Sequence, residues 1–221
     1  MKPAFTFDEI REAEKSIIEK ENIPSLVLME NAGKNSFKIL FEEFEDLDDR
    51  NIFIVCGKGN NAGDGFVLAR HLLINDYEVK ILLLETDSSL KGDALINYQL
   101  LQKCANDNLE FISYTDFSQQ VKNSKKSIIV DAILGTGIKG PLNKIFFDII
   151  QLVNKLKGNS KKLSVISLDV PSGLMSGEQL NPVVNADLTI AMVQLKRNCC
   201  SEQVSKTAEE LLLCQLVLLP N

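Results

Sequence analysis

Two aspartates, Asp131 and Asp169, each close a run of branched apolar residues, SIIVD over 127–131 and LSVISLD over 163–169. A carboxylate in such a place can carry a proton to a reacting atom or hold a cation. Residues 56–65, CGKGNNAGDG, place Asn60, Asn61 and Asp64 among Gly57, Gly59 and Gly63. Residues 131–141, DAILGTGIKGP, follow Asp131 with glycines at 135, 137 and 140, and LDVPSG over 168–173 follows Asp169 with Pro171, Ser172 and Gly173. Backbone N–H groups exposed by glycine at a helix N-terminus suit phosphate. Two such loops would hold a diphosphate or nucleotide with little help from arginine, of which there are four. Asn61, Asp131 and Ser172 offer hard oxygen atoms, and one carboxylate among neutral oxygens favours a weakly charged cation over a divalent one.

Any one of these features has a structural use, since strand-end aspartates cap turns and glycines let chains bend. Three polar loops become a site only if one edge of a sheet gathers them. The sequence predicts that edge. Short runs at 51–56, 78–84, 109–113, 127–131, 163–169 and 187–193 read as strands, with helical stretches at 64–75, 90–104 and 142–157 between them. Near-continuous apolar strands joined by helices make a parallel sheet covered on both faces. The expected fold is α/β, a three-layer α/β/α sandwich with a mainly parallel, Rossmann-like sheet and an N-terminal helical extension. One domain is expected over 1–221, the extension taking 1–48 and the sandwich 50–221. Thr6 and Glu9 have capping-box spacing, and SLVLMENAGKNSFKILFEEF continues the helical pattern, with Met29 and Phe37 as core residues. LLLCQLVLLP, 211–220, reads as a last strand, an interface or part of a longer chain.

Composition narrows the class. A net charge of −6 over 221 residues lacks the clustered positive charge a nucleic-acid binder needs. Five cysteines without a Cys-x-x-Cys pair, and one histidine, fit reduced thiols rather than zinc, in a cytoplasmic or other reducing intracellular compartment. The charged N-terminus has no secretory core, and no apolar run reaches spanning length. His71, two turns into a helix, reads as structural.

Gly57 and Gly59, with Glu85 after the next strand, approach a dinucleotide fingerprint, which makes a Rossmann-type NAD-dependent dehydrogenase an alternative. The third glycine, Gly63, comes one place late, however, and no Walker lysine follows.

Taken in order, IPSLVLMENAG (23–33), GKGNNAGDGFVLARHL, DAILGTGIKGPL, LDVPSG and ADLTIAMVQLK (186–196) resemble the NAD(P)H-hydrate epimerase family, the YjeF N-terminal domain. The resemblance implies interconversion of the R and S epimers of hydrated NADH and NADPH, for repair of the nicotinamide cofactor. It further implies that Asn60, Asn61, Ala62, Gly63 and Asp64 bind substrate together with Gly135, Thr136, Gly137, Ile138, Lys139, Gly140, Pro141 and Asp169. A potassium ion, one per subunit, would lie at Asn61, Asp131 and Ser172. The implied partners are a second copy in a homodimer and an ADP- or ATP-dependent hydrate dehydratase, separate or fused, with no nucleic acid or membrane. Asp169 is the first choice of acid/base, with Asp131 committed to the cation. The chain departs from the family pattern at Ala62, usually glycine, at Met175, often aspartate, and at RNCC after Lys196. A non-catalytic scaffold or binding protein of the same fold is the other alternative.

Overall fold

A computed structural model describes residues 22–138, 140–175 and 181–191, with Glu12, Lys15, Ser16 and residues 18–20. The Thr6 cap, residues 192–193 of the last expected strand and the apolar stretch 211–220 lie outside the described residues.

Helix α1 (Ser25–Glu43) begins after Pro24, whose carbonyl accepts from Val27 N–H, and it buries Met29, Ala32, Ser36 and Leu40. Six strands follow: β1 (Asn51–Cys56), β2 (Val79–Leu83), β3 (Leu109–Phe111), β4 (Ser127–Ala132), β5 (Leu163–Leu168) and β6 (Leu188–Ile190). They form one sheet in the order β3-β2-β1-β4-β5-β6, every neighbouring pair parallel. The connecting helices are α2 (Asn60–Ile74), α3 (Gly92–Lys103), α4 (Tyr114–Asn123) and α5 (Lys144–Gly158).

Alternation along β1 explains the layers, because successive side chains point to opposite faces. Ile52, Ile54 and Cys56 pack with Phe66, Leu68 and Leu72 of α2, while Phe53 and Val55 pack with Phe117 of α4 and Ile149 of α5. The expected three-layer α/β/α sandwich is therefore observed. Its chain order reverses between β1 and β4, and a doubly wound sheet opens a crevice beyond the strand ends at such a point.

Two differences from the sequence expectation stand out. The helix expected from residue 64 begins at Asn60, so the NNAGDG segment forms its first turns. Helix α4 was not among the expected helices; Ser113 caps it by accepting from Asp116 N–H at 3.1 Å, and it buries Phe117 and Val121. Of the five cysteines, Cys56 and Cys104 lie in the described residues, and both are free thiols. Among the described residues no helix is long and apolar enough to cross a membrane.

His71 has the structural partner expected of it. Glu30 of α1 receives Arg70 and pairs with His71 Nε2 at 2.9 Å across the α1–α2 contact. Burial pushes the Glu30 carboxyl up, but the hydrogen bonds from Arg70 and His71 outweigh it and hold the carboxyl below its ordinary value. A depressed acid adds stability above its unfolded-state pKa and loses it as pH falls through the folded value. Glu30→Gln should thus cost about 1 kcal/mol near neutrality, part of the contact being exposed to solvent. The difference should vanish in strong acid. Urea midpoints of both proteins across that range check this.

Candidate functional site

At the reversal point lies a cleft of about 690 Å³. Helix α2 contributes Asn60, Asn61 and Asp64; the loop after β4 contributes Gly135, Thr136, Gly137, Ile138 and Pro141; the end of β5 contributes Asp169. The three loops singled out in the sequence thus meet in one cavity. Helix α1 closes a side the sequence did not foretell, with Ser25, Leu28 and Met29, and Asp93 of α3 joins them.

Asp169 occupies a backbone conformation costly for most residues. Its φ is 64°, in the left-handed region where aspartate is among the few side chains tolerated. Its N–H donates to Ile190 O at 2.8 Å, and its Oδ2 accepts from Thr136 N–H at 3.2 Å. Gly135 makes room for that carboxyl: a Cβ there would stand 2.6 Å from Asp169 Oδ2 and 3.8 Å from Asn61 Cβ. Asp169 and Asn61 therefore flank Gly135 on the same wall.

Asp131 sits beneath the cleft, fully buried, in register with Val55 of β1 and Ser167 of β5. Ser172 N–H donates to its Oδ2 at 2.9 Å, Ser167 hydroxyl to Oδ2 at 2.8 Å, Ser172 hydroxyl to Oδ1 at 2.5 Å and Ile133 N–H to Oδ1 at 3.2 Å. Burial pushes the carboxyl up and these four donors pull it down, with the net direction upward. Ser172 Oγ in turn accepts from Leu134 N–H at 2.9 Å, which ties the turn after β5 to the loop after β4.

Asn61 is the telling residue. It is 6% exposed, yet neither Oδ1 nor Nδ2 has a hydrogen-bond partner. Leaving a buried amide unpaired costs about 1–3 kcal/mol per group, so its partner is to be sought in a water or a ligand. The buried Asp131 carboxyl and the unpaired Asn61 amide oxygen are hard oxygen donors, a type that suits a monovalent cation.

The remaining candidates divide. Ala62 is buried among Ile54, Phe66 and their neighbours, and in a helix it meets no backbone penalty for lacking glycine. Gly63 and Gly65 lie inside α2 and serve close packing, since a Cβ would come within 2.5 Å of Met29 Sδ or 2.8 Å of Ala132 Cβ. Gly140 has φ 75° and stands outside the lining, and Lys139 lies outside the described residues. One organising residue escaped sequence reading. Asn181 accepts from Leu142 N–H at 2.8 Å and donates to Gly140 O at 3.1 Å, clamping the loop after β4. Its sole sequence signal was the Asn-Pro pair at 181–182.

A parallel sheet of this order, with polar loops converging where it reverses, defines a Rossmann-like α/β protein with a small-molecule cleft. Residues 25–198 match the family described as YjeF-related protein N-terminus, and the chain belongs to that family. It is 32% identical to an NAD(P)H-hydrate epimerase of Rhodopirellula baltica, over 88% of this chain and 76% of that one. An NAD(P)H-hydrate epimerase of Nitrosopumilus maritimus is 35% identical over 77% of this chain and 76% of its own length. A bifunctional NAD(P)H-hydrate repair enzyme Nnr of Methanocaldococcus jannaschii is 38% identical over 71% of this chain, but the match spans 32% of that protein. The chain thus spans about a third of the length of that bifunctional relative. The crystal structure of yeast ynu0, YNL200c, shares the fold, with a TM-score of 0.71 at 23% identity over 86% of this chain and 79% of that chain.

Proposed function

We propose that this protein is an NAD(P)H-hydrate epimerase, interconverting the R and S forms of hydrated NADH and NADPH. The observation that carries the reading is the cleft itself: in a chain of this family, a carboxylate on a left-handed strand end and Asn61, whose buried amide is unpaired, stand together beside Gly135. The relatives named as epimerases, matched over most of their length, support it.

In the proposed chemistry the hydroxyl to be moved sits on a carbon next to the ring nitrogen. Asp169, in its acid form, donates a proton to that hydroxyl. The carbon–oxygen bond breaks, water leaves, and the nitrogen lone pair forms a carbon–nitrogen double bond. Water then adds from the opposite face and gives up a proton, which restores the balance. Thr136 N–H fixes the Asp169 carboxyl, and the N-terminal turn of α2 offers backbone donors to the substrate's phosphates. Asn61, Asp131 and Ser172 would hold a potassium ion, which would supply positive charge beside the buried carboxylate. The reading includes a homodimer and a dehydratase, separate or fused, that consumes one epimer; the bifunctional relatives support the second.

The test begins with one purified epimer of hydrated NADH. Appearance of the other, faster with enzyme than without, is the expected result, and equal rates would remove the reading. Gly135→Ala should lower kcat by about tenfold or more, because its Cβ displaces the Asp169 carboxyl and a small misplacement of a reacting group is costly. Potassium should raise the melting temperature relative to an equal concentration of choline by about 2–4 °C for each kcal/mol of binding. Asn61→Leu should abolish that rise.

A further inference from the structure

Among the described residues lining the cleft, the charged side chains are Lys58, Asp64, Asp93 and Asp169. Lys58 is thus the one cation in a lining that carries three carboxylates. It stands two residues before α2, a helix of fifteen residues whose first turn carries the unpaired Asn61 amide. Its Nζ lies 3.1 Å from Glu85 Oε2, with 52% of the lysine side chain exposed and 17% of the glutamate.

Glu85 follows β2 by two residues, and β2 pairs in parallel with β1, Cys56 opposite Leu83. The turns after these strands are therefore neighbours. Beyond the second strand of such a sheet an acidic side chain accepts from the ribose hydroxyls of a dinucleotide, and it opposes a phosphate in their place. A phosphate approaching Lys58 meets a cation already committed to a carboxylate.

Resting on the activity proposed above, we infer that the Lys58–Glu85 pair is a specificity device, selecting the hydrated dinucleotide without a 2′-phosphate over the form that carries one. Lys58 serves the diphosphate common to both. Glu85 repels the extra phosphate of the NADPH form and limits the charge Lys58 can lend it.

Binding of intact NADH and NADPH, followed by their fluorescence, tests this without turnover. The wild-type protein should bind NADH about tenfold more tightly than NADPH. Glu85→Gln should close most of that gap from both sides, strengthening NADPH as the repulsion goes and weakening NADH severalfold as its ribose hydroxyls lose a charged acceptor. Lys58→Gln, at the more exposed partner, should weaken both and widen the gap, because it leaves the carboxylate unmasked. Equal affinities in the wild type, a gap unmoved by both substitutions, or no measurable binding of either dinucleotide would overturn the inference. The expected binding pattern in a protein without epimerase activity would remove the activity and leave the selectivity standing.

Discussion

Asp169→Asn should lower kcat for epimer interconversion by about a hundredfold to ten-thousandfold, the usual worth of a positioned acid or base. The amide keeps the size of the carboxyl, and asparagine tolerates the left-handed φ of 64° as aspartate does. Its oxygen can still accept from Thr136 N–H. What the amide lacks is a proton that can be given and taken back. KM and the melting temperature should therefore change little while kcat collapses. Stopped-time chromatography of the two epimers, with thermal unfolding of the same samples, separates these effects. A variant with near-normal kcat would assign the proton transfer elsewhere.

The largest effect on stability should come from Gly173→Ala. Gly173 has φ 95°, and a Cβ there would lie 2.0 Å from the carbonyl oxygen of Pro182. Neither partner is a flexible side-chain tip, so the backbone itself must move. The backbone conformation alone costs about 1–3 kcal/mol for an L residue, and the collision adds to it. The turn also carries Ser172, whose N–H and hydroxyl are two of the four donors on Asp131. Movement there leaves a fully buried carboxylate short of partners, which is among the costlier defects a core can hold. Urea unfolding should show a loss of more than about 3 kcal/mol, and potassium should no longer stabilise the variant. A loss below about 1 kcal/mol would mean that the turn relaxes without disturbing Asp131.

Much of the architecture was legible because local pattern and tertiary role coincide in it. SIIVD and LSVISLD are apolar on both faces and end in a charge, which fits a central parallel strand running out of the core at its carboxyl end. The convergence of Asn61, Gly135 and Asp169 followed from the parallel topology alone. The start of α2 was not legible, because its glycines look like a loop. Gly63 and Gly65 are small so that Met29, Ala94 and Ala132 can approach the helix, a contact between layers that local propensity cannot express. Helix α4 escaped for a different reason, since YTDFSQQVKN is short and polar overall, and its apolar face rests on the two buried side chains Phe117 and Val121. Asn181 was hidden by distance in the chain, acting on Gly140 and Leu142 about forty residues away. The wall supplied by α1 was hidden likewise, because a helix that reads as core packing also lines the cleft through Met29.

In the proposed reaction the cleft epimerises the hydrate by letting the hydroxyl leave one face and water return to the other. One purified epimer of hydrated NADH, incubated with the enzyme in heavy-oxygen water, tests it most directly. Mass spectrometry of the separated epimers should find the heavy oxygen in the newly formed epimer at the rate of its appearance, and Asp169→Asn should suppress both together. Interconversion without label would rule this route out, because the carbon–oxygen bond would then never have broken.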